Sequence, residues 1–118
     1  MDDLAIQLDE AIGLAQDGDA SAVGRIEGLR KRIEKRNYAW LLSGADTSVG
    51  ANLLQSAATT ARDAARRGDQ ARLADQRREV AAARTKLASE ASAGALAAAR
   101  RGAPTLRSRP AESTRSRR

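Results

Sequence analysis

Arginine is the side chain with the most chemistry to offer in this sequence. Seven of the last 19 residues, Arg100, Arg101, Arg107, Arg109, Arg115, Arg117 and Arg118, are arginine, set against one carboxylate, Glu112. A guanidinium is a planar fork of donors that pairs bidentately with phosphates or carboxylates, so the chemistry on offer is recognition of anions. The only aromatics, Tyr38 and Trp40, sit in Asn37–Leu42, the most apolar stretch of the chain. Burial in the core is the first expectation for this pair. The second is an exposed anchor at a protein interface, where Trp and Tyr dominate binding energy. Stacking on unpaired bases is disfavoured, because no basic cluster with interleaved aromatics surrounds them.

Catalysis has poor material. The chain has no His and no Cys, which removes zinc-finger ligand sets, thiol nucleophiles, the Ser-His-Asp triad and any disulfide framework. Asp2, Asp3, Asp9 and Glu10 lie near a helix start, where the macrodipole alone favours negative charge. No Gly-rich phosphate loop occurs. General acid–base work would need a carboxylate pair in a pocket, which an alanine-rich core is not expected to enclose. The expectation is therefore no enzyme, no cofactor, no metal site and no small-molecule substrate.

Charge divides unevenly along the 118 residues. Residues 1–99 carry 14 basic and 14 acidic groups, whereas residues 100–118 carry seven Arg and one Glu, so the whole net charge of +6 sits in the last 19 residues. The high isoelectric point describes a neutral body with a cationic extension. With Gly, Pro and Ser among its arginines, that extension has the composition of an extended segment, the expected contact for an anionic partner. Arg outnumbers Lys 18 to 3 and Ala takes 27 positions, the usage of a GC-rich genome, bacterial or phage. The acidic Met1-Asp2-Asp3 start does not read as an export signal and no run is apolar enough to span a bilayer, so the expected location is the cytoplasm, or a virion if the gene is a phage's.

These residues must be carried by helices. Leu4, Leu8, Ala11, Ile12 and Ala15 form one stripe of a first helix, and Gly18 stops it. Asp19 or Ser21 is placed to cap a second, on which Val23, Ile26, Ile33 and Trp40 keep helical spacing, with Arg30 and Asn37 between them. Ser43-Gly44 closes that helix. A third starts after Asp46 or Ser48, with Val49, Leu53, Ala57, Ala61 and Ala64 as its stripe, and Gly68 ends it. Asp69 caps the fourth, on which Leu73, Val80 and Leu87 recur every seven residues until Gly102 and Pro104 are expected to stop it. The prediction is an all-α fold of four helices, at about 3–17, 20–42, 48–67 and 70–101, paired as two αα-hairpins. A helical domain over 1–101 is followed by a tail over 102–118. Both hairpins turn on Gly-Asp, fifty residues apart, which makes an internal duplication conceivable.

Large apolar side chains are unevenly spread: of 22 Leu, Ile, Val, Met, Trp and Tyr residues, 17 lie in residues 1–54. The fourth helix is stable by alanine propensity but has little to bury, and this shortage predicts an oligomer or a larger assembly. The basic residues Arg25, Arg30, Lys31, Arg32, Lys35 and Arg36 are diluted by Glu27 and Glu34. They read as a solvated helix face, as do Arg62, Arg66, Arg67, Arg72, Arg77 and Arg78 with their neighbouring acids. Leu14–Glu27 resembles the helix-turn-helix of phage-repressor-type DNA-binding domains in its small residue, turn Gly, Ser, Val and Ile-Glu pair. It departs from that motif in register, and Gly24 falls in the would-be recognition helix, so sequence-specific DNA reading is not expected. The expected function is a non-enzymatic structural or adaptor subunit of a multi-subunit assembly, for example a small phage head or neck protein, docking through its helices and its arginine-rich tail. The alternative is sequence-independent nucleic-acid binding through that tail.

Overall fold

A computed structural model describes the backbone of residues 1–106 and the side chains of residues 1–97, 99 and 100. It is all-helical among those residues: α1 Asp2–Gln16, α2 Ala22–Leu42, α3 Val49–Arg67 and α4 Gln70–Leu106. The chain divides into two compact units, Met1–Leu87 and Ala88–Arg118.

The first unit is an up-down-up-down arrangement. Arg36, near the end of α2, pairs with Asp3 at the start of α1 at 3.1 Å. Asn37 meets Asn52 and Gln55 across α2 and α3, and Arg77 and Arg84 of α4 reach back to Asp9 and Asp2 of α1. Each neighbouring pair is therefore antiparallel. The core is small and aliphatic: Leu4, Leu8 and Ile12 from α1, Ile26, Leu29 and Ile33 from α2, Leu54 and a row of alanines from α3, and Leu73, Val80 and Ala83 from α4. Leu73 and Val80 keep the seven-residue stripe expected of α4, with Leu87 partly buried behind them.

Turn chemistry explains the boundaries. Gly18 and Gly68 both take the left-handed conformation, φ +88° and +67°, which places the next amide, of Asp19 or Asp69, on the carbonyl five residues back, Leu14 or Ala64, at 3.0 and 2.9 Å. This is the same helix stop, fifty residues apart. The starts differ. Asp69 Oδ1 accepts from Arg72 N–H at 3.0 Å and caps α4 directly, while Asp19 Oδ1 accepts from the amide and hydroxyl of Ser21, so α2 begins only at Ala22. Ser48 caps α3 by accepting from Ala51 N–H at 3.0 Å.

Three expectations change. The stripe of α3 is offset in its first turns: Val49 and Leu53 are exposed, and Gly50, Ala51 and Leu54 are buried instead. A Cβ on Gly50 would lie 2.7 Å from Leu87 Cγ and 2.8 Å from Leu87 N, so it is the bare backbone of Gly50 that turns this face toward α4. Trp40, on the predicted stripe of α2, is half-exposed, and Asn37 takes the buried place. The physical reason is depth: the Arg36–Asp3 pair sets the first turn of α1 level with residue 36, and no turn of α1 remains to cover residue 40. Finally, α4 continues to Leu106, five residues past the expected stop. An alanine-rich run propagates helix at little cost, and Gly102 and Pro104 weigh only on its last turns.

In the second unit, residues 88–106 are the last part of α4, and none of its described side chains is buried.

Candidate functional site

Among the described residues the seam between α2 and α3 holds the unusual chemistry. At the N-terminal half of α2, Glu27 accepts from Arg30 Nε and Nη2 at 2.8 and 3.0 Å and from Arg62 Nη1 of α3 at 3.2 Å, and Arg62 also pairs with Asp63. The Arg30 guanidinium first, then that of Arg62, holds the Glu27 carboxyl down to about 2. These residues join α2 to α3 and are mutually satisfied.

Two turns further along α2 the seam becomes an amide cluster. Asn37 Nδ2 donates to Asn52 Oδ1 and to Gln55 Oε1, both at 2.8 Å. Asn37 is only 5% exposed, yet its Oδ1 is buried with no hydrogen-bond partner. A buried carbonyl left in that state costs about 1–3 kcal/mol. Above the cluster lies an open groove of about 510 Å³, lined by Lys31, Lys35, Tyr38 and Leu41 together with the amides. It adjoins a second hollow of about 380 Å³ formed by Asn52, Gln55, Ser56, Thr59 and Thr60.

Tyr38 is 62% exposed and Trp40 52%, so the first expectation for the aromatic pair, burial in the core, is corrected: both stand at the surface, where an interface anchor would. Trp40 is held there, its indole N–H donating to the Asp46 carbonyl at 2.7 Å and its own carbonyl accepting from Ser43 Oγ. Leu41, Leu42 and Val49 are exposed beside them. Asn37 is the residue that sequence reasoning passed over. The signal was present in its place four residues after Ile33 on the apolar stripe.

The basic residues fall into two kinds. Arg77, expected on an ordinary helix surface, instead clamps α4 to α1 through Asp9 and Gln16. Its guanidinium lowers the Asp9 carboxyl, as that of Arg84 does for Asp2. Asp2, Asp3 and Asp9 thus tie α1 to α2 and α4. Arg25 acts on Asp19 only at longer range, and Arg32 and Lys35, both exposed, make no ion pair among the described residues. The Leu14–Glu27 segment is the turn of an antiparallel hairpin whose second helix runs 21 residues, unlike the motif it resembles. Of the tail arginines, Arg100 is exposed on α4 and Arg101 lies in the same helix; Arg107, Arg109, Arg115, Arg117 and Arg118 fall outside the described residues. No cluster of three acidic, His or Cys side chains suited to a metal occurs among the described residues, and none of their helices is long and apolar enough to cross a membrane.

No protein-family model, curated protein or solved structure matches this chain.

Proposed function

We propose that this chain is a non-enzymatic helical adaptor, a structural subunit that docks on a protein partner through the α2–α3 end of its first unit. One observation carries the reading. Of the seven exposed large apolar side chains of residues 1–87, six, Tyr38, Trp40, Leu41, Leu42, Val49 and Leu53, belong to the end of α2 and the first turns of α3, and only Ile6 stands on α1. Scattered exposed apolar residues need no explanation, but a set gathered at one end and including both aromatics of the chain has the make-up of an interface core. The arginines from Arg100 onward would add cationic contacts to an acidic neighbour in the same assembly. A virion component is one member of this class and agrees with the GC-rich, alanine-heavy usage.

The test compares the full chain with a Tyr38→Ser/Leu41→Ser/Leu42→Ser variant, whose altered positions are exposed and leave the bundle core intact. Incubated in a lysate of the organism that encodes it and treated with nuclease, the wild-type chain is expected to retain a stoichiometric protein partner that the variant loses. Equal retention by both would contradict the reading. The alternative, sequence-independent nucleic-acid binding, is favoured by the placement of the whole +6 charge in the last 19 residues. It predicts a log–log salt dependence of duplex DNA binding with a slope of up to about −6, from roughly −0.9 per phosphate neutralised.

A further inference from the structure

We propose that the groove between α2 and α3 receives an acidic, amphipathic segment of a partner polypeptide. The proposal rests on the docking reading above and adds the chemistry of the partner. Its argument is an imbalance of donors over acceptors. Lys35 has no carboxylate partner among the described residues. Lys31 approaches Glu27 only at 3.9 Å, and that carboxylate is already shared by Arg30 and Arg62. Glu34, on the same wall, is engaged by Arg30 at 3.4 Å. In the floor, Asn37 spends both amide hydrogens on the oxygens of Asn52 and Gln55. The amide nitrogens of those two residues are left as donors without an acceptor among the described residues. A ligand that fills the groove must therefore bring acceptors, and two ammonium groups four residues apart on one helix face select carboxylates.

The apolar part is set by Tyr38 and Leu41, 62% and 44% exposed at one end of the groove. A row of nucleic-acid phosphates would gain nothing from Tyr38 and Leu41 on the groove wall. A polypeptide carrying one or two carboxylates beside an aliphatic or aromatic side chain matches both parts. The buried, unpartnered Asn37 Oδ1 is an acceptor, so it asks for a donor that a carboxylate does not bring and lends the acidic chemistry no support. A second copy of this chain has little of this chemistry to offer from its acidic helix: on α1, Asp2, Asp3 and Asp9 are committed to Arg84, Arg36 and Arg77, which leaves Glu10 as a single exposed carboxylate.

The experiment selects a random 16-residue peptide library on the immobilised full-length chain and measures a recovered synthetic peptide against the wild type and a Lys31→Glu/Lys35→Glu variant. Both lysines are exposed, and circular dichroism verifies that the variant is folded; Lys31→Gln/Lys35→Gln serves as the milder second variant. Recovered peptides are expected to be enriched at least threefold in Asp and Glu beside an apolar residue, and to bind the charge-reversed variant at least tenfold more weakly. No acidic enrichment, or equal binding by the variant, would overturn the proposal, as would a random DNA duplex that displaces the peptide through the same lysines. Neutral or basic peptides that bind and are lost with Tyr38→Ser/Leu41→Ser/Leu42→Ser would overturn the acidic chemistry and leave the docking reading standing. Peptides lost with neither variant would count against both.

Discussion

The two ends of the first unit are built on different terms. At the end where α1 meets α2 and α3 meets α4, both connections close on a left-handed glycine with the equivalent carbonyl satisfied behind it, Asp69 caps α4 while Asp19 holds its own turn, and no large apolar side chain is exposed. At the other end α2 outruns α1, and the loop 43–48 leaves Tyr38, Trp40, Leu41, Leu42 and Val49 at the surface beside a buried amide oxygen, Asn37 Oδ1, that lacks a partner. One end is finished by its own sequence. The other leaves several large apolar residues about half exposed, which is the observation on which the proposed docking surface rests.

That contrast is broken or sharpened first by adjacent leucines. Leu54 is fully buried and Leu53 37% exposed. Leu54→Ala is expected to destabilise the unit by about 2–5 kcal/mol and Leu53→Ala by less than about 1 kcal/mol, read by denaturant unfolding. Equal losses would mean that the α3 face is assigned wrongly. Next in size, Gly50→Ala must displace Leu87, whose side chain and backbone both lie within 3 Å of the new methyl group; a loss of about 1–3 kcal/mol is expected.

The leucine pair also marks where the sequence was legible. Helix number, order and three of the four stripes follow from apolar spacing and from the Gly-Asp and Ser caps, because those are local signals. Only the first turns of the α3 stripe were misplaced by one residue, with Ala57, Ala61 and Ala64 buried as expected, since Val49 and Leu53 carry the larger side chains while the fold uses the absence of one at Gly50. Trp40 has the right angular position on α2 but stands beyond the reach of α1, and the relative depth of helices is a tertiary quantity that spacing does not encode. Asn37 was passed over because a polar residue on a stripe reads as a break. Only its two amide neighbours from α3, Asn52 and Gln55, reveal it as the floor of a groove. The ion pairs of Asp2, Asp3 and Asp9 read as helix-dipole complements in sequence and act as ties between helices in the structure.

The finished end offers a smaller effect. Asp69→Ala removes the cap on Arg72 N–H and is expected to cost about 1 kcal/mol of stability in thermal unfolding, with Asp19→Ala costing less because its side chain serves the turn instead of the helix start. Acid unfolding tests the seam. With its folded value near 2, below the ordinary glutamate range, Glu27 contributes stability that is complete above that range and is lost as the pH falls toward 2. The wild-type melting temperature should fall more steeply over that interval than that of Glu27→Gln, and parallel curves would remove Glu27 from the account. The smallest change is expected at the open end: Leu42→Ser, at a side chain 70% exposed, should alter stability by no more than about 0.5 kcal/mol in either direction.

The central claim, that the α2–α3 end is a docking surface, is tested most directly by placing a photo-crosslinking residue at Leu42 in one variant and at the exposed Ala71, on the finished end, in another. Irradiated in cells of the encoding organism, the variant labelled at position 42 is expected to give one dominant protein adduct and the variant labelled at position 71 none. Adducts at position 71 alone, or to nucleic acid in place of protein at position 42, would contradict it.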